Sequence, residues 1–191
     1  MRHAGTQELE TDRLFLRRLL PEDADMMYAN WASDPQVTRF LRWEPHKNAL
    51  ETLGLLAAWA TLYPNPDYYQ WAIVEKASGQ VFGSIGIFNA ALGDAGQKAF
   101  WPELDPSGGI WEAGYCIGRS WWNRGLATEA LKAVTAYWFS HTDGDWLTCC
   151  HATANPASGR VMEKAGFVEL VGKENFQSNI SAALKRAEEV I

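Results

Sequence analysis

Three cysteines in 191 residues, two of them adjacent, supply neither a disulfide framework nor the spacing of a metal site. Cys116, Cys149 and Cys150 therefore read as buried, reduced thiols, with Cys149 and Cys150 on opposite faces of one strand. No metal is expected. Excess positive charge is also missing. Seventeen Lys and Arg stand against 23 Asp and Glu, a formal net charge of -6, so the basic face that a nucleic-acid binder needs is absent. The mild acidic balance suits a cationic partner such as an amine or a basic peptide. Long apolar runs are lacking too. The longest, Leu53 to Tyr63, is too short to span a bilayer, and the first ten residues hold no apolar stretch that could serve as a signal peptide. A soluble, cytoplasmic protein without a membrane partner is expected. Neither Gly-Lys-Ser/Thr nor Gly-x-Gly-x-x-Gly occurs, which excludes a P-loop or a dinucleotide-binding fingerprint.

What is present suffices for one domain over 1–191, with its core in 8–171 and a tail in 172–191. Leu14 to Leu16 begins a strand, and Pro21 to Asp25 opens a helix with acidic residues where the helix dipole favours them. Asp34-Pro35 interrupts that helix. A second runs from about Asn48 to Leu62, with Leu50, Leu53, Leu56 and Ala57 on one side. Tyr69 to Glu75 and Val81 to Phe88 read as strands joined by a turn at Ala77 to Gln80. The connection from Ala90 to Gly109 is unusually long. It carries Phe100-Trp101-Pro102 at its middle and is expected to form part of a substrate pocket. Ile110 to Ile117 is a strand, Arg124 to about Ser140 a helix, Trp146 to His151 a strand, Pro156 to Ala165 a helix and Phe167 to Val171 a strand. Helices interleaved with strands predict an α+β or three-layer sheet sandwich.

The most informative stretch follows Ile117. Trp122-Asn123-Arg124-Gly125-Leu126-Ala127-Thr128 opens a helix with small residues directly after a strand. Such a helix start turns several unpaired N–H groups, and the positive end of the dipole, toward one point, where a phosphate or pyrophosphate fits. Gly125 and Ala127 let an anion approach the backbone, and Arg124 adds a charge. Further on, Asn155-Pro156-Ala157-Ser158 opens the helix that ends at Lys164-Ala165-Gly166-Phe167. In this order and spacing, together with Leu9-Glu-Thr-Asp-Arg-Leu14, these segments resemble the GNAT superfamily of acyl-CoA N-acyltransferases. The likeness is greatest to the branch that acetylates the N-termini of ribosomal proteins. The superfamily's pyrophosphate motif, Arg/Gln-x-x-Gly-x-Gly/Ala, stands here as Trp122-x-x-Gly125-x-Ala127. Trp at its first position departs from the general pattern and is similar to that branch.

The resemblance implies an α+β fold whose mixed, mostly antiparallel sheet is flanked by helices and splayed at the acyl-CoA site. It implies acetyl-CoA as co-substrate and an amine acceptor, joined by direct attack in a ternary complex. Asn123, Arg124, Gly125, Leu126, Ala127 and Thr128 would cradle the pyrophosphate. The pantetheine arm would lie along Tyr115, Cys116 and Ile117 as an extra strand, with further contacts from Asn155, Ser158 and Lys164. Glu112 is the first candidate for the base that deprotonates the amine, and His151 is the alternative. A backbone N–H near Tyr115 or Cys116 would polarise the thioester carbonyl. Where many members carry a tyrosine acid this chain has Met162, so Ser158 is expected to support the leaving thiolate. Met162 also keeps open a rival reading, a catalytically inactive acyl-CoA-binding or sensory domain. The family's closing β-hairpin is not expected, because Ser181 to Val190 reads as a short helix. The sheet edge so exposed would be covered in a homodimer.

Overall fold

The computed structural model describes residues 1–90, 109–174 and 179–186. Its spine is a sheet of eight strands in the order β1-β2-β3-β4-β5-β6-β8-β7. A short β1 (Leu9–Glu10) pairs with β2 (Leu14–Arg17). A single turn of 3-10 helix at Pro21–Asp23 leads into α1 (Ala24–Met27), which continues as a π-helical turn over Tyr28–Ala32. Asp34 does more than interrupt this run. Its carboxylate accepts from the Gln36 N–H at 2.9 Å and caps a new short helix, α2 (Pro35–Thr38). Helix α3 (Ala49–Ala60) is capped by Asn48, which accepts from the Glu51 N–H. Then come β3 (Tyr69–Glu75), β4 (Val81–Asn89), β5 (Trp111–Ile117), α4 (Leu126–His141), β6 (Trp146–Ala152), α5 (Pro156–Lys164), β7 (Val168–Glu174) and β8 (Asn179–Lys185). Every pairing is antiparallel except β5 with β6.

Two cores lie on the two faces of this sheet. On one face α4 and α5 bury Leu126, Ala130, Leu131, Val134, Trp138 and Met162 against Trp71, Ile85, Trp111 and Ala113. Removing side chains of this size from water supplies most of the stabilisation, at about 25 cal/mol per Å² of apolar area. On the other face α1 to α3 cover Ala72, Val74 and Val81 with Met27, Trp31 and Leu56. The buried side of α3 differs from expectation. Thr52 and Leu56 face inward, while Leu50 is 74% and Leu53 39% exposed. A polar residue can occupy the core position because the Thr52 hydroxyl is bonded to His46 Nδ1 at 2.7 Å.

The tail corrects the sequence reading outright. Residues expected as a helix form β8, which slots between β6 and β7 and pairs with β6 from Trp146↔Lys185 to Ala152↔Asn179. Ala182 and Leu184, two apart, turn toward the core, the period of a strand rather than a helix. Beyond the strand, the Arg186 guanidinium donates at 2.9 Å to the carbonyls of Thr142 and Gly144 and fastens this end under the end of α4. Ala, Leu and Lys are good helix formers, but seven ladder pairs along β6 outweigh that weak preference. The sheet therefore closes with a hairpin, and the edge that argued for a homodimer is filled by the chain itself.

The Leu9–Leu14 segment has a structural task. Arg13 donates its backbone N–H to Glu129 Oε1 at 2.9 Å and its Nε to Oε2 at 2.7 Å, and Thr11 donates its hydroxyl to Oε1 at 2.6 Å. Arg13 also reaches the Arg124 carbonyl at 2.9 Å. The β1–β2 turn thus clamps the first turn of α4. Burial would raise the Glu129 carboxyl, but these hydrogen bonds outweigh it and hold the group below its usual value. The stability so gained is present above the unfolded carboxylate value and is lost as pH falls through the depressed folded one. Glu129→Ala should cost about 1–3 kcal/mol in urea unfolding at pH 7. The deficit should shrink toward pH 3. Equal stability at pH 7 would show that the clamp contributes nothing.

Candidate active site

The sheet parts between β5 and β6. Their parallel pairing covers only Glu112↔Thr148 and Ala113↔Cys149, whereas β5 stays in register with β4 along its whole length to Ile117. The rest of β5 therefore presents one edge to a gap. Gly118 N–H donates to the Phe82 carbonyl and Ala90 N–H to Ile110, so the even-numbered residues of β5 bond to β4. By the alternation of an antiparallel ladder, the N–H and C=O of Tyr115 and the N–H of Ile117 point into the gap. The Ile117 carbonyl is taken by the indole N–H of Trp122 at 2.9 Å, which folds the following loop back onto the strand. Cys116 contributes backbone on the β4 side. Its thiol is buried 3.5 Å from the Ser84 hydroxyl and is pushed up by that burial.

At the mouth of the gap α4 begins. Asn123 has φ +60° and Gly125 φ +77°, two left-handed residues flanking Arg124. Gly125 is the N-cap, and no side chain caps this end of the helix. The N–H groups of Leu126, Ala127 and Thr128 have no partner within the helix. The dipole's positive end and three free donors are features that suit an anion. Arg124 is not the free cation expected from the sequence. Its guanidinium pairs with Glu75, a carboxylate only 12% exposed, and so fixes the loop to β3. What this helix start leaves unpaired is its backbone N–H groups.

Period-two alternation sorts the candidate catalytic groups by face. Tyr115 and Ala113 face α4 and α5, while Cys116 packs with the α1–α3 side, and Glu112 shares the side of Cys116. There Glu112 is 16% exposed, receives the Cys150 S–H at 3.3 Å, and has Arg42 of the α2–α3 connection 4.0 Å away. Burial pushes its carboxyl above the usual range, against smaller opposing effects from Cys150 and Arg42. The Cys150 thiol is itself raised to about 12 by burial and by this carboxylate, so it is an inert donor at neutral pH. Beside Glu112 two glycines leave room for neighbouring side chains: a Cβ on Gly114 would lie 3.1 Å from the Phe88 ring, and one on Gly86 would lie 2.3 Å from Gln70 Oε1.

His151 stands on the other face. Its Nδ1 is 2.9 Å from the Ala152 carbonyl, and its ring fills the space over Gly159, where a Cβ would come within 2.7 Å of Nε2. Ser158 is in the first turn of α5, below the N-cap Asn155, whose Oδ1 accepts from the Ser158 N–H at 3.4 Å. The Tyr115 hydroxyl reaches it across the gap, 2.8 Å from Ser158 Oγ and 3.0 Å from the Ser158 carbonyl. Met162 lies in the core at 2% exposure. Lys164 is exposed in the last turn of α5, where it suits the negative end of that helix. Most of the Ala90–Gly109 connection, including Phe100-Trp101-Pro102, lies outside the described residues. Sequence reasoning missed Arg42, Cys150 and the Tyr115 side chain as neighbours of the site, because each meets its partner across a distance in sequence that carries no periodic signal.

A sheet parted between two parallel strands, with an uncapped helix start at the opening, has the architecture of a GNAT acyltransferase. The family described as acetyltransferase (GNAT) domain matches residues 13–168. The chain is 30% identical over 159 residues to YoaA, an uncharacterized N-acetyltransferase of Bacillus subtilis strain 168, with 83% of this chain and 81% of that one covered. It is 29% identical to p20, an uncharacterized N-acetyltransferase of Bacillus licheniformis, over 70% of this chain and 67% of the relative. Among solved structures it is similar in fold to a GNAT-family acetyltransferase from Bacillus anthracis, at TM-score 0.72 and 18% identity over 95% and 100% of the two chains. It is likewise similar to the ribosomal-protein-S5-alanine acetyltransferase of Vibrio fischeri, at TM-score 0.68 and 14% identity over 95% and 98%. The chain belongs to the GNAT family of acetyltransferases. No helix among the described residues is long and apolar enough to cross a membrane.

Proposed function

We propose that this protein transfers an acetyl group from acetyl-CoA to a primary amine, either a peptide N-terminus or a small molecule, by direct attack within a ternary complex. The observation that carries the reading is the gap between β5 and β6 with the uncapped start of α4 at its mouth. The N–H groups of Leu126 to Thr128 receive the pyrophosphate, and pantetheine continues the ladder on the free edge of β5. The thioester then lies in the gap, where the Tyr115 N–H is the donor placed to stabilise its oxyanion.

Glu112 sits on one face of the sheet and Ser158 on the other. An amine approaching from the Glu112 side loses its proton to that carboxylate, directly or through a water, and adds to the carbonyl carbon. The tetrahedral intermediate loses the second proton of its nitrogen to solvent and collapses with cleavage of the C–S bond, and the thiolate departs beside Ser158. A carboxyl raised by burial suits this task, because an amine of pKa roughly 8–10 needs a base stronger than an ordinary surface carboxylate. His151, on the far face with Nδ1 engaged by a carbonyl, is the weaker candidate.

The test is thiol release from acetyl-CoA against a panel of peptide N-termini, polyamines and aminoglycosides. Amine-dependent release of free CoA, with the product heavier by one acetyl group, supports the reading. Tight CoA binding without release on any acceptor would favour a binding domain instead.

A further inference from the structure

The Tyr115 hydroxyl bridges the two walls of the gap, from β5 to the first turn of α5, and its single proton has two alternative acceptors there. It has one proton and two oxygens of Ser158 within reach, the carbonyl at 3.0 Å and Oγ at 2.8 Å. A carbonyl only accepts. When Tyr115 donates to it, the remaining contact is satisfied by Ser158 Oγ–H donating to the tyrosine oxygen, and the serine proton points away from the gap. When Tyr115 donates to Oγ instead, the serine proton is released to point at whatever lies beside it.

Resting on the reading above, we propose that Tyr115 is a positioning residue that switches Ser158 from spectator to donor as the CoA thiolate forms. In the ground state Tyr115 O–H donates to the Ser158 carbonyl and Ser158 Oγ–H donates back to Tyr115. As the C–S bond breaks, the sulfur becomes the stronger acceptor. Ser158 Oγ–H turns to it, and Tyr115 O–H turns from the carbonyl to Oγ. No covalent O–H bond breaks in either residue. The thiolate leaves as an anion holding one hydrogen bond, and solvent protonates it on release. A full relay of protons would leave a tyrosinate, and burial pushes the Tyr115 hydroxyl far above its usual value, so reorientation is the favoured course. The arrangement answers the absence of a tyrosine at Met162. The phenol that this chain uses comes from the strand, acts through a serine, and never faces the sulfur.

The experiment uses the whole protein with CoA itself and needs no acceptor. The ionisation of the bound CoA thiol is followed by its thiolate absorbance as pH is raised, in the wild type and in Tyr115→Phe, Ser158→Ala, Ser158→Thr and the Tyr115→Phe/Ser158→Ala pair. One hydrogen bond to the anion should lower the thiol's pKa by about one unit, a tenfold change in ionisation. Ser158→Ala should abolish the lowering and Ser158→Thr should retain it. Tyr115→Phe should lose much of it, and the double variant should lose no more than Ser158→Ala alone. A bound thiol unchanged in Tyr115→Phe, or additive losses in the pair, would overturn the proposal. Failure of CoA to bind the wild type would overturn the acyl-CoA reading beneath it. Normal CoA binding with no difference between wild type and Ser158→Ala would overturn only the switch.

Discussion

Gly125→Val should weaken CoA binding by at least tenfold in calorimetry, about 1.4 kcal/mol, while the folded protein persists. The cause is conformational. A Cβ at Gly125 meets only the end of the Arg13 side chain, at 3.5 Å, an ordinary contact. The position's φ of +77° is what a β-branched residue cannot hold without strain of order 1–3 kcal/mol. To relieve it, the loop must rotate the peptide planes that aim the first N–H groups of α4. Those donors are then lost to the pyrophosphate while α4 stays anchored by Glu129 and its buried face. Gly125→Ala, with a smaller penalty, should fall between. An unchanged affinity in Gly125→Val would remove the pyrophosphate from this loop.

That loop was legible in the sequence because its determinants are local. A glycine, small neighbours and a helix start after a strand are all encoded within seven residues. Strands β3 and β4 were legible for a similar reason. Tyr69 to Glu75 and Val81 to Phe88 are short, apolar and rich in β-branched and aromatic residues, and the structure places both within a residue of expectation. The tail was not legible. Asn179 to Lys185 becomes a strand only because β6 offers it a ladder, and no local preference announces that. The inward face of α3 was hidden because Ala49 to Ala60 is apolar nearly all round, and a threonine satisfied by His46 took a place that pattern reading reserves for leucine.

Within the site, residue types were readable and their partners were not. The sequence offers Arg124 as a charge for phosphate, yet Glu75 claims it from another strand. Glu112 reads from the sequence as a carboxylate on the strand that became β5. That it is buried, bonded to Cys150 and approached by Arg42 depends on three segments meeting on one face of the sheet. These are tertiary facts, and the burial among them, against the smaller opposing pull of Cys150 and Arg42, gives an acidic residue a raised proton affinity.

Glu112→Gln should therefore have two opposite effects. Activity should fall, with kcat lower by on the order of 10²-fold and little change in the KM for acetyl-CoA, because the amide keeps the shape of the site and loses the base. The acidic limb of the wild-type rate profile should lie above the ordinary glutamate value and vanish in the variant. Stability should rise. A carboxyl whose folded value is raised binds its proton more tightly in the native state, so stability falls as pH climbs through the window between the unfolded and folded values. Above that window the wild type carries the full cost of a buried charge, and the neutral amide does not. The variant's Tm should thus exceed the wild type's at pH 7 to 8 and meet it below about pH 4, where the wild-type group is protonated in both states. A retained rate, with His151→Ala abolishing it, would transfer the role of base to the other face of the sheet. A lower Tm at pH 8 would show that the Arg42 and Cys150 contacts outweigh the burial of Glu112. A slower enzyme that is also a more stable protein is the result expected of a group kept charged in a buried place for what it does to the substrate.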